Sequence, residues 1–97
     1  MNADRAAAYA RVMTTLRELG PSKLLADEQD AIRGAADTLL FSVDLLGDAD
    51  ARRAIETVER LCQALVESER WMRRSAERLA DDVAACGPPP VLALRAA

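Results

Sequence analysis

The chain has 97 residues, 51% of them hydrophobic but only 3% aromatic, and its 13 basic and 16 acidic side chains leave a formal charge of −3. That length suits one domain with a modest core, and the mixed, slightly acidic charge argues against a dominant basic surface for nucleic acid. Histidine is absent, which removes the usual general base and the commonest transition-metal ligand.

The excess of Ala, Leu, Glu and Arg favours helices, and three are predicted, over about 4–19, 27–46 and 48–86. Helix 1 is capped by Asn2 or Asp4 and repeats Tyr9, Val12, Met13, Leu16 and Leu19 on one face. Gly20 and Pro21 are expected to stop it, since glycine accepts a left-handed residue and proline cannot continue the ladder. Asp27 is the expected cap of helix 2, with Glu28 and Asp30 placing negative charge on its positive end. Leu25, Gln29, Ile32, Ala36, Leu39, Val43 and Leu46 follow at steps of four and three, Leu40 and Phe41 broaden the stripe, and Gly47 ends it. Residues 21–48 hold six acids against two bases, so helix 2 is the acidic element. Asp48 or Asp50 then caps helix 3, making an antiparallel hairpin with helix 2.

Helix 3 is the longest predicted element. Ala51, Ile55, Val58, Cys62, Leu65, Glu69, Met72, Ala76, Leu79, Val83 and Cys86 recur at alternating steps of four and three, and only Glu69 breaks the apolar seam. No proline or glycine interrupts Asp48–Cys86. At about 1.5 Å per residue this helix is roughly 55 to 60 Å long, while helix 2 is about 30 Å and covers it only to about Glu67. The rest of the seam, Glu69, Met72, Ala76, Leu79, Val83 and Cys86, is expected either to be covered by helix 1 swinging past the Gly20–Pro21 turn or, with helix 1 beside helix 2, to meet another molecule; both arrangements leave apolar edges that a homodimer would bury in a larger bundle. The chain is then one helical domain over 1–87, followed by a proline-rich linker and a short apolar tail over 88–97.

Other constellations carry less. Arg70, Trp71, Arg73, Arg74 and Arg78 combine the residue types of a partner surface, or of a phosphate-binding stripe in a nucleic-acid-associated regulator, unless Trp71 packs inside and nearby acids neutralise the arginines. The ExxE pair Glu56 and Glu59, with Glu77 and Asp81, suggests a carboxylate-only magnesium site. In these acids alone the chain is similar to all-helical nucleotide pyrophosphatases, which implies nucleotide hydrolysis as the alternative function. Arg52, Arg53 and Arg60 stand at ion-pair spacing from the first pair, as on a solvated helix face. Cys62 and Cys86 lie too far apart on one straight helix for a disulfide and read as reduced core residues.

No apolar run approaches a membrane span, and the first twenty residues do not resemble a signal peptide. The chain is therefore expected to be a small cytoplasmic, non-enzymatic interaction or regulatory protein. It is expected to need no cofactor or metal, to form a homodimer, and to bind another protein rather than nucleic acid or membrane.

Overall fold

The computed structural model describes residues 3–88. These residues are all-α, with four helices: α1 Ala3–Lys23, α2 Ala26–Leu40, α3 Ala49–Glu67 and α4 Arg73–Ala85. The structure therefore corrects the expected three helices to four. The tail reading over 88–97 falls, Pro88 apart, outside the described residues.

Each helix packs on the next, α4 returns to α1, and α2 and α4 also meet across the centre. Polar contacts give the directions. Tyr9, early in α1, donates its hydroxyl to Asp37, late in α2, and Arg11 pairs with Asp82, late in α4, at 2.9 Å. At the other end of α1, the Gly20 carbonyl accepts from Gln29 Nε2, early in α2, at 3.1 Å. The helices thus run up, down, up and down, in a bundle of 38 × 23 × 22 Å. Ile32, Leu39, Leu65, Leu79, Val12, Val58 and Val83 fill its interior, and Ala8, Ala35, Ala36, Ala51 and Ala76 are buried between them. The small side chains allow close approach of the backbones.

The predicted boundaries shift for identifiable reasons. Helix α1 runs through Gly20 and Pro21 to Lys23. A proline disfavours helical geometry in the preceding residue through its Cβ, and glycine has none. The chain does not reverse at Gly20, which has no positive φ; the residue serves close packing instead. A Cβ there would lie 2.7 Å from Gln29 Oε1. Helix α2 begins two residues earlier than an Asp27 cap implies: Leu25 is its N-cap, and the Leu25 amide donates to Glu28 Oε1 at 2.8 Å. It ends at Leu40 rather than Leu46. Ser42 and Asp44 follow, residue types whose side chains compete with the helical ladder, and Asp44 accepts from the amides of Leu46 and Gly47 at 3.1 and 3.2 Å. Asp48 caps α3, accepting from the Ala51 amide at 3.0 Å.

The largest correction concerns the predicted helix over 48–86. It breaks after Glu67, and α4 folds back beside α1 instead of extending. Glu69, the one polar residue of the seam, has φ 60°, the only positive φ among the described residues. The Glu69 amide donates to the Val66 carbonyl and the Arg70 amide to the Leu65 carbonyl, both at 3.0 Å. This is the Schellman pattern of a helix C-terminus, with glutamate in the left-handed position that glycine usually takes.

Candidate interaction surfaces

The α3–α4 junction is tied to the opposite turn of the bundle. Trp71 is only 8% exposed, and its indole N–H donates to the Lys23 carbonyl at 3.1 Å. Arg70 grips Glu28 with both terminal nitrogens, at 2.8 and 2.9 Å. The same carboxylate receives the Leu25 amide, so Glu28 joins the start of α2 to the α3–α4 junction. The Arg70 hydrogen bond, foremost, holds the Glu28 carboxyl below its ordinary value. Two members of the predicted arginine and tryptophan surface are therefore engaged within the chain. Arg73, Arg74 and Arg78 remain exposed on α4.

The six predicted interface residues separate in the same way. Ala76, Leu79, Val83 and Cys86 are buried in the chain's own core, because the break lets α4 deliver its stripe to α1, α2 and α3. The overhang inferred from helix lengths rested on a straight helix and does not form in this structure. Glu69 is exposed and Met72 is 77% exposed. Met72 stands with Leu19 and Trp71 at a shallow depression beside Lys23 and Arg70.

The opposite end of the bundle carries a surface that sequence periodicity did not indicate. In the α2–α3 connection, Phe41 is 77% exposed, Val43 90% and Leu46 63%. Asp44 and Asp48 fix this connection through the backbone bonds described above, and Arg52 Nη1 donates to the carbonyls of Leu45 and Leu46, at 2.6 Å each. Arg5 reinforces it from α1: its guanidinium donates to the carbonyls of Leu39, Ser42 and Cys86 at 2.8, 2.7 and 2.9 Å. Those oxygens lie at the C-terminal ends of α2 and α4, where a cation meets the negative end of each helix dipole. Periodicity placed Val43 and Leu46 on a continuing helical stripe. The readable signal against it was Ser42 and Asp44 directly after Phe41.

The predicted acidic site is only partly assembled. Glu59 of α3 and Glu77 and Asp81 of α4 line a common groove with Ile55 and Ala80. Among the described residues no group of three acidic or cysteine side chains is placed to hold a metal ion. Both cysteines are free and buried, and burial pushes each thiol up to about 11, so neither is a thiolate near neutral pH. No helix among the described residues is long and apolar enough to cross a membrane.

Fold and surfaces define a four-helix, all-α bundle. The chain matches no family model, and neither a curated protein nor a solved structure shows significant similarity to it.

Proposed function

We propose that the protein is a non-enzymatic, cytoplasmic interaction module that works as a homodimer and presents its α2–α3 connection to another protein. The exposure of Phe41, Val43 and Leu46 on one hydrogen-bonded connection carries this reading. Single exposed apolar residues are ordinary; three large ones within six residues of one connection, one of them aromatic, are a concentration of the kind that marks contact sites. Asp44, Arg52 and Arg5 hold the backbone beneath them, so docking costs less ordering entropy than it would on a loose loop. The absence of histidine and the buried, protonated thiols remove the commonest general base and a cysteine nucleophile, which supports a binding role. The two free cysteines suit a reducing compartment.

A photo-crosslinking amino acid placed at Phe41, and separately at the exposed control position Glu56, tests the surface in the native cell. The expected result is a discrete protein adduct from position 41 alone, lost when Val43→Ser and Leu46→Ser are added. Equal labelling at both positions removes the reading.

A further inference from the structure

The α3–α4 junction combines a spacing that serves a continuous helix as well as a turn with one residue that does not suit a permanent turn. The four and three spacing passes through it without a change of register, from Leu65 through Glu69 and Met72 to Ala76, and no glycine or proline interrupts Asp48–Cys86. At the turn itself, Glu69 occupies a positive φ that disfavours any residue with a Cβ. Met72 holds a seam position yet lies largely exposed. Straightening the junction relieves the positive φ of Glu69 and returns Met72 to the face it shares with Leu65 and Ala76.

We infer that the second copy of the chain is engaged by exchange of α4. Residues 68–72 become helical, α3 and α4 merge into one helix of about 55 Å, and each α4 packs into the bundle of the other copy. This rests on the homodimer reading above and names the surface that the second copy occupies. Because the copies are identical, the exchanged helix recovers its closed-state partners: Asp82 meets Arg11, the Cys86 carbonyl meets Arg5, and Leu79 and Val83 refill the same core. The difference between the two states is confined to the junction, as in domain swapping generally. There the exchanged form gives up the Trp71–Lys23 and Arg70–Glu28 ties within one chain and gains helical bonds through Glu69 and contact between the two Met72 side chains. The two Glu69 carboxylates lie one seam step from that contact and oppose it, so exchange requires high protein concentration.

The test uses the full chain, unfolded and refolded across a range of concentrations and followed by light scattering. Dimer is expected to appear with rising concentration. Glu69→Leu, which completes the seam, should raise the association constant. Glu69→Gly, which suits the turn and weakens the helix, should lower it by roughly tenfold at each of two junctions, about a hundredfold per dimer. Arg11→Cys and Asp82→Cys chains, refolded together and treated with a short bis-maleimide, should yield a cross-chain link mapped to positions 11 and 82. A dimer that ignores Glu69→Gly, or that gives no such link, means that the copies meet side by side; exchange is then overturned and the homodimer stands. Monomer at every concentration, for both wild type and Glu69→Leu, overturns both. If the cysteine variants do not fold, the Glu69 pair alone decides.

Discussion

The two connections flanking α3 both reverse the chain, yet they treat apolar surface in opposite ways. The α2–α3 connection is stabilised mainly by backbone and capping bonds, through Asp44, Asp48, Arg52 and Arg5, and it leaves Phe41, Val43 and Leu46 in solvent. The α3–α4 junction is stabilised by side chains reaching across the bundle. Trp71 is buried against the end of α1, and Arg70 is clamped to Glu28. A connection whose backbone groups are bonded by polar side chains can dispense with its large apolar side chains for packing and offer them outward. One held by tertiary contacts uses them up, and its conformation depends on those contacts staying made.

The sharpest way to break this contrast is Trp71→Ala. It removes the buried indole and its bond to Lys23, and a loss of about 3 to 5 kcal/mol is expected, seen as a lower urea midpoint at unchanged slope. Arg5→Ala strikes the other end, leaving carbonyls at the ends of α2 and α4 without their charged donor. About 2 kcal/mol is expected from the same measurement, with backbone hydrogen exchange at residues 41–48 accelerated more than at 68–72. Glu69→Gly acts in the opposite direction: at dilutions where the chain is monomeric it should stabilise by about 0.5 to 1 kcal/mol, because glycine accepts the positive φ.

Acid should loosen both ends through different carboxylates. Glu28 lies below its ordinary value chiefly through the Arg70 hydrogen bond, and Asp48 chiefly through the Ala51 amide. A group with a depressed folded-state value stabilises fully above its unfolded value and loses that contribution as pH falls through the folded one. Stability should therefore decline below about pH 4, where unfolded carboxyls begin to bind protons, and Glu28→Gln should flatten only the share belonging to the junction. Thermal melts at stepped pH measure this. The smallest effects are expected at Phe41→Ser, Val43→Ser and Leu46→Ser, each within about 0.5 kcal/mol in chemical denaturation, since these side chains bury little in the folded chain.

Much of the architecture was legible because helical periodicity reports burial directly. Ala51, Val58, Cys62, Leu65, Ala76, Leu79, Val83 and Cys86 were placed on one stripe by spacing alone, and all are buried. The cap of α3 was readable as Asp48 or Asp50, because an aspartate just after glycine has a local reason to be there, and Asp48 takes the role. The path of that stripe was not legible. Spacing is the same whether the helix continues or turns and folds back in register, and Glu69 interrupts the seam in either case. The exposed apolar surface was misplaced for a related reason: Val43 and Leu46 kept the period of α2 beyond the point where Ser42 and Asp44 divert the backbone.

The sequence by itself determined the all-α class, most of the core stripe and the choice of Asp48 or Asp50 as the cap of α3, because propensity, periodicity and capping act over a few residues. Only the tertiary structure decided that the predicted helix over 48–86 folds in two. A left-handed glutamate is unfavourable locally and is held in place by Trp71 under α1, by Arg70 on Glu28 and by the α4 stripe closing the bundle. Those contacts span forty residues or more, a distance over which no pattern in the chain announces its partner.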